Sequence, residues 1–497
     1  MDEQEKIDKR AHVRLVVTEV LMFLAVLALV GFLTLVVLGY SFNLREIGGS
    51  GEVIERSGLL QVSSSPTGAT ILVDGETALL FNTNASRTLI AGEHEIKLEK
   101  EGFDTWSKKI TIVEGMMYRL NYPRLFKNER ETEDVLALKN VEFSSVSPNF
   151  EKMMLLTDGS MYMVNLNENE PTLKKLEILD KAGNVVKITT LVKAEWSGNS
   201  ERVMAKVNGE WAVINVKDAK DTVWLSTILD AKTNVSSLKF ETEAGDRLLM
   251  LNDERELSEI ALKDGKVQKL LSGVFAFDND GERVAFIAEA TTEKGNEQTA
   301  EAEKAGEFLD TPVAQVRGYQ VGAKESYLID TLNGRDGEKA TNFRVATMRY
   351  FQESYVAVAR KNSSALSVYY KNGWMSGDGE MEPVKAGGGA IASAELNKRG
   401  KGMVFEQVSE DGSRSVFDIE AMKSSRIEAH EGEEGWIDEY LRYNIKDGKL
   451  TVSDYDGLNE RTLVSSGVLS DRAVAISGNN RWLYYFTDSK LVREKLQ

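Results

Sequence analysis

The chain has 497 residues, enough for more than one hydrophobic core, and only 6 prolines, which argues against long unfolded stalks. Its 78 acidic residues outnumber 61 Lys and Arg for a net charge of −17, so recognition of nucleic acid through clustered phosphate contacts is excluded. With no cysteine, disulfides, thiolate catalysis and Cys-ligated zinc are excluded as well.

Residues 1–14 form a short charged leader. Leu21 to Tyr40 then reads LMFLAVLALVGFLTLVVLGY without one charge, and Leu15 to Val17 extend the apolar character upstream. Twenty helical residues cover about 30 Å, the thickness of a bilayer's hydrocarbon core, so a transmembrane helix is expected within residues 15–42. A cleaved signal peptide has a shorter apolar stretch followed by small residues, and a buried core helix is the other alternative. Lys6, Lys9, Arg10 and Arg14 precede the span, against Arg45 and Arg56 just after it. That bias places the N-terminus inside and residues 43–497 outside the cytoplasmic membrane. Residues 43–58, rich in Gly and charge, read as a linker.

Period-two alternation begins next. Ile71 and Val73 share one strand face, as do His94, Ile96 and Leu98, while Asp74-Gly75 supplies a tight hairpin corner. His94 reads as a strand-face histidine. The motif Pro66-Thr67-Gly68-Ala69, the Val73-Asp74-Gly75 corner, Gly92-x-His94, and Gly102-Phe103 followed by Trp106 resemble the PEGA domain over residues 59–122. Where that family carries Gly-x-Thr-Pro after the first hairpin, this chain has LLFNTNAS. The resemblance implies a small extracytoplasmic β-domain that binds surface carbohydrate or acts as a spacer, without catalysis. Phe103 and Trp106 are its candidate ligand-binding residues, as an aromatic platform for a sugar ring; the competing reading makes them small-domain core.

From residue 123 onward one grammar repeats: an apolar strand, a polar turn, a second strand, a hairpin corner and a third strand. The corners include Asp158-Gly159, Asn208-Gly209, Asp411-Gly412 and Asp447-Gly448. Corresponding first-strand positions, Phe143, Trp196, Phe240, Phe277, Tyr350, Leu396, Trp436 and Ile476, are spaced by 37 to 53 residues except for one step of 73. That step holds a polar, acid-rich insertion at 289–318, between the second and third strands of the fourth unit. It reads as a solvated loop, with a docking element for a basic partner as the alternative. The period matches a four-stranded propeller blade of about 40–45 residues, and eight blades are favoured over seven. The last unit, from Ala473, ends after three strands, and DVLALK, Asp134 to Lys139, can supply its missing fourth. Ser147-Pro148-Asn149 and DYDGLNERTLV, Asp454 to Val464, resemble turns of TolB-like and WD-repeat propellers, which implies a rigid recognition disc.

Chemistry is sparse. Histidine occurs at His12, His94 and His430 only, and HExxH, GxSxG and GxxxxGK[ST] motifs are absent. Asp454-x-Asp456-Gly457 lacks the remaining ligands of a calcium loop and reads as a turn. Lys385 to Ala390, KAGGGA, reads as a connection between units. No cofactor, metal or catalytic residue is expected. The sequence thus predicts an all-β ectodomain behind one transmembrane helix: a non-catalytic cell-surface binding or scaffold protein recognising envelope polysaccharide or a surface protein. The alternatives are a structural component of an envelope assembly, for which Ala25, Ala28 and Gly31 hint at helix packing, and a cell-wall hydrolase using a carboxylate pair.

Overall fold

The computed structural model describes residues 2–37, 40–42, 54–138, 140–281, 283–290, 311–334, 339–350, 353–360, 366–370, 384–386, 391–396, 404–409, 414–419, 423–427, 429–438, 440–488 and 490–497. They form two units, Met1–Glu129 and Arg130–Gln497.

The first unit opens with one helix, α1, over Asp2–Val37. It takes in the leader as well as the apolar stretch, and its apolar window Val16–Thr34 has no buried surface. The helix stops short of the expected span. Tyr40–Phe42 is instead a strand, paired antiparallel with the start of Ile54–Val62 through Tyr40↔Arg56 and Phe42↔Ile54. Residues 54–58, assigned to the linker on composition, therefore belong to a strand, because pairing on both edges outweighs the weak local preference of IERSG. Most of the expected linker, residues 43–53, lies outside the described residues.

Ile54–Val62 also pairs with Ala85–Ile90 and, in parallel, with Met117–Leu120. A second sheet runs in the order Glu76–Asn82, Thr70–Val73, Gly92–Glu99, Trp106–Ile112. The buried faces are the alternating apolar residues: Leu60 and Val62 from one sheet, and Ile71, Ile96, Leu98, Trp106 and Ile110 from the other. Asp74 and Gly75, at φ 53° and 81°, make the hairpin corner that the sequence predicts.

The second unit forms eight four-stranded antiparallel sheets among the described residues, seven of them with their strands in chain order. Every first-strand position read from the sequence lies in a first strand, from Val141–Val146 through to Ala475–Ile476. The turns show that Phe143 is out of phase: Ser147, Ser197 and Ser477 follow Val146, Trp196 and Ile476. In each turn the serine hydroxyl donates to the asparagine two residues on, Asn149, Asn199 or Asn479, at 2.7–2.8 Å. The same serine oxygen accepts the backbone N–H of Lys152, Arg202 or Trp482. The second-to-third corners Asp158-Gly159, Asn208-Gly209 and Asp447-Gly448 have positive φ at both residues; Asp411-Gly412 lies outside the described residues. The fourth sheet's third strand is Thr311–Gln320. The expected insertion therefore ends by 310, since residues 311–318 pair with Tyr327–Gly334 on one side and, from Ala314 onward, with Arg283–Glu289 on the other. Residues 291–310 lie outside the described residues.

Adjacent sheets are joined in succession. Sheets one and two share a core of Met154, Leu156, Val203, Ala205 and Ile214, with Trp196 donating its indole N–H to Ser145 at 3.0 Å. Met204 and Val213 meet Phe240 and Leu248 between the second and third, and Leu249 and Leu257 meet Phe277 and Phe286 between the third and fourth. Ala285 and Ile287 meet Val345 and Val356 between the fourth and fifth. The first strands of the fifth and sixth sheets contact one another, and Arg414 on the sixth pairs with Glu434 on the seventh at 3.0 Å. Arg130, leading into the eighth sheet, donates to the Leu463 carbonyl of the seventh.

The eighth sheet closes the set. Its outer strand is Thr132–Ala137, from the start of the unit, paired antiparallel with the C-terminal Lys490–Lys495. Tyr484, Phe486 and Leu491 then share a core with Val146, Met153 and Leu155 of the first sheet. This is a closed β-propeller, without an unpaired sheet edge where its ends meet. Arg493 sits on the seam. It holds the Glu133 carboxylate through Nε at 2.8 Å and Nη2 at 2.6 Å, donates to the Glu168 and Asn169 carbonyls of the first sheet, and stacks on Trp482 at 3.8 Å. Arg493→Ala removes the donor to Glu133 and to two carbonyls, and with Glu133 half exposed a loss of about 1–3 kcal/mol is expected. Urea denaturation of Arg493→Ala beside Arg481→Ala, whose side chain is exposed, measures it. A lowered midpoint in the first alone is the expected result.

Candidate functional site

Trp106 opens the last strand of the second sheet and is fully buried, edge-on to Tyr122 with ring centroids 6.0 Å apart. It has no face for a sugar ring. Phe103 is half-buried in the preceding turn, beneath the Lys100 ammonium at 6.0 Å, and its backbone bridges to Lys127. The two aromatics therefore form no shared exposed platform: the alternating core claims Trp106 because its strand register places it opposite Leu98. His94 lies on the neighbouring strand with Nδ1 2.7 Å from Asp74 Oδ2 and Nε2 2.8 Å from the Ile90 carbonyl. The histidine and the Glu95 N–H hold the Asp74 carboxyl below the usual carboxylate range.

On the propeller, Glu406, Arg414, Glu434 and Arg442 form a compact group of balanced charge. Arg414 donates to both glutamates at 2.9 and 3.0 Å, and Arg442, 4% exposed, lies 3.4 and 3.2 Å from the same two and over the Trp436 ring. Trp436 donates its indole N–H to Glu406 at 2.9 Å. His430, exposed, and Glu460 line a shallow pocket beside Arg442 and Tyr443. These ion pairs join the sixth and seventh sheets, although Arg442 Nη1, 3.4 Å from Glu406, has no hydrogen-bond partner among the described residues.

Glu241 is different. It takes the place in the third sheet that Ser147, Ser197 and Ser477 hold in their turns, and its backbone N–H likewise donates across the turn, to Arg247 at 3.1 Å. Its carbonyl accepts from the Asn279 side chain at 3.2 Å. The side chain is 5% exposed and its Oε2 has no hydrogen-bond partner among the described residues. Burial, then the nearby Glu259 charge, push its carboxyl up to about 7, with Arg247 opposing and Asp246 adding to the rise. A buried acid that changes charge near neutrality can hold or release a proton where the serine turns cannot. The clue in the sequence was the third unit's FETEAG standing where its neighbours have WSGNS and VSPNF.

Asp454, Asp456 and Gly457 form a turn closed by Gly457 N–H to Asp454 O at 2.9 Å, with Asn459 donating to the Asp454 carboxylate. Lys385 lies in the fifth sheet's fourth strand, Val384–Ala386, and residues 387–390 are outside the described residues.

With the two units in place, comparison with known proteins identifies the small β-module. Residues 57–125 match the PEGA domain family. No curated protein sequence matches the chain. Among solved structures, the oligogalacturonate lyase of Vibrio parahaemolyticus is similar at 10% identity and a TM-score of 0.38, over 74% of this chain and 98% of that one. Dihydro-heme d1 dehydrogenase NirN is similar at 12% identity and 0.38, over 66% and 67%. The WD40 repeats of RRP9 are similar at 9% identity and 0.36, over 63% and 96%. The propeller assignment rests on the strand pairing described above.

Folding raises the Glu241 carboxyl from its ordinary 4.5 to about 7, so its ionised form is the one folding disfavours. Its contribution to stability is complete below the ordinary value and is lost as pH rises through about 7. Glu241→Gln, which cannot ionise, is therefore expected to flatten that decline and to be the more stable protein at pH 8, by up to about 3 kcal/mol. Denaturant midpoints of both proteins from pH 4 to pH 8 check it; parallel curves would show that Glu241 does not titrate in this interval.

Proposed function

We propose that the protein is a single-pass, membrane-anchored scaffold that holds a PEGA module and a closed propeller on the outer side of the cytoplasmic membrane and binds a partner there without catalysis. The observation that carries this reading is helix α1. Its window Val16–Thr34 has mean hydropathy 2.6 and is wholly unburied. A helix window apolar on every side, with all of its described side chains exposed, supports a segment surrounded by lipid. The excess of Lys and Arg before the helix supports an inside N-terminus.

Of the two partner classes, a surface protein is favoured over envelope polysaccharide. Burial of Trp106 removes one candidate sugar platform, the pair Phe103 and Trp106 in the PEGA module. Several of the described carboxylates bridge neighbouring sheets, Asp278 with Lys239 and Thr347, Glu406 with Trp436, and Asp418 with Tyr455. That supports a binding rather than a hydrolytic role for the propeller.

Two measurements on cells test this. Protease added to intact spheroplasts should degrade residues beyond 43 and spare the leader; a spared propeller would reverse the orientation. Crosslinking in intact membranes should capture a discrete protein adduct that survives enzymatic removal of wall glycan, whereas recovery only with the glycan would transfer the role to polysaccharide.

A further inference from the structure

Outside helix α1, the exposed large apolar residues among those described include a group of four in the PEGA module: Ile90 at 46%, Val113 at 57%, Met116 at 62% and Met117 at 40%. The others, Val185, Val192, Val267, Leu328 and Leu458, are spread along the propeller sequence. The pairing gathers the first four around residues 57–59. Ile90 lies opposite Ser57 and Met117 opposite Leu59, on the two edges of one strand. Cross-strand partners share a face, and Ser57 and Leu59, two apart, share theirs, so Ile90 and Met117 sit on one side of the sheet. Leu60 and Val62, pointing the other way, are the buried ones. Val113 and Met116 belong to the turn folded against the same strand: Gly115 donates to the Ser57 carbonyl and Leu59 to the Met116 carbonyl, both at 2.9 Å. A Cβ at Gly58 would meet the Val113 and Met116 carbonyls at 2.5 and 2.9 Å, so the turn depends on glycine there.

The chain ties this tip to the end of the apolar helix. Val37 ends α1, and Tyr40, three residues on, pairs with Arg56 beside Ser57. Three residues reach at most about 11 Å. If α1 spans the bilayer, the tip is therefore held at the membrane surface. Beside it, Arg56 pairs with Glu114 at 2.7 Å, so neither charge stands alone at the turn. We propose that Ile90, Val113, Met116 and Met117 dock the PEGA module on the lipid surface from which its own helix emerges, as a second and shallow membrane contact. The pairing of Arg56 with Glu114 makes this contact apolar, so it needs no anionic lipid and resists salt.

The proposal rests on the membrane-anchor reading, and the experiment separates the two. The absence of native cysteine lets single labels be placed in the full chain reconstituted into phosphatidylcholine nanodiscs: Met116→Cys at the tip, Glu101→Cys beyond the far end of the Gly92–Glu99 strand, and Leu24→Cys in the helix. Each carries an environment-sensitive fluorophore. At position 116, several-fold weaker quenching by aqueous iodide than at 101, with quenching by lipid bearing a nitroxide near the headgroup and no change at high salt, is the expected result. Iodide quenching at 116 equal to that at 101, with position 24 quenched by deep nitroxide, would overturn the docking and leave the anchor standing. Protection at 116 without nitroxide quenching would mean that a second copy covers the tip, which also overturns it. No deep quenching at 24 would overturn anchor and docking together. Val113→Asp with Met117→Asp, both at exposed positions, should restore full iodide access at 116 in a chain whose label at 101 is unchanged.

Discussion

Everything the propeller does depends on one strand pairing across nearly the whole length of its unit: Thr132–Ala137 against Lys490–Lys495. Seven sheets complete themselves from consecutive strands, but the eighth borrows its outer strand from the start of the unit. This long-range pairing brings Arg493 to Glu133, Glu168 and Asn169, and brings the eighth sheet's Tyr484 hydroxyl to the Leu166 carbonyl at 2.9 Å. Without it, Lys490–Lys495 would be an open edge, and the first and eighth sheets would lose the core they share.

The interfaces between sheets are not equivalent. Large apolar residues dominate from the eighth sheet around to the fifth. Between the sixth and seventh, the Glu406–Arg414–Glu434–Arg442 group and the Trp436 indole carry much of the contact. Such a group is costly to desolvate and still costlier to break singly. Glu241 is the counterexample: a buried acid in a serine's place, with one oxygen unpartnered among the described residues. Its burial costs stability once it ionises, where a serine in the same turn would be neutral at every pH.

Much of the architecture was legible in the sequence because the repeat is written in hard chemistry. Asp-Gly and Asn-Gly corners demand positive φ, Ser-x-Asn turns close on themselves, and a three-stranded last unit leaves a visible deficit that DVLALK fills. What escaped was decided by distant pairing. Tyr40–Phe42 reads as the end of an apolar helix until its partner at 54–56 is known, and residues 311–318 read as loop until flanked by two strands. Trp106 shows the same limit for sites: composition marks an aromatic near a turn, but only strand register decides whether it faces core or solvent. Glu241 could have been found by aligning the unit turns, whereas its burial could not. The Ile90–Met117 tip was invisible for a further reason, since its residues come from two separate segments gathered by a third strand.

The most direct test of the account is a disulfide across the closing seam. Ala137 and Lys490 are a registered pair on the outer two strands of the eighth sheet, and the chain has no other cysteine to compete. Paired positions on antiparallel strands lie about 4.5–5.5 Å apart between Cα atoms, within reach of a disulfide. The double substitution Ala137→Cys with Lys490→Cys should oxidise to an intramolecular bond in the folded protein, seen as faster migration on a non-reducing gel, and should raise the denaturation midpoint. Free thiols that persist under oxidising conditions in the folded chain would contradict the closed ring.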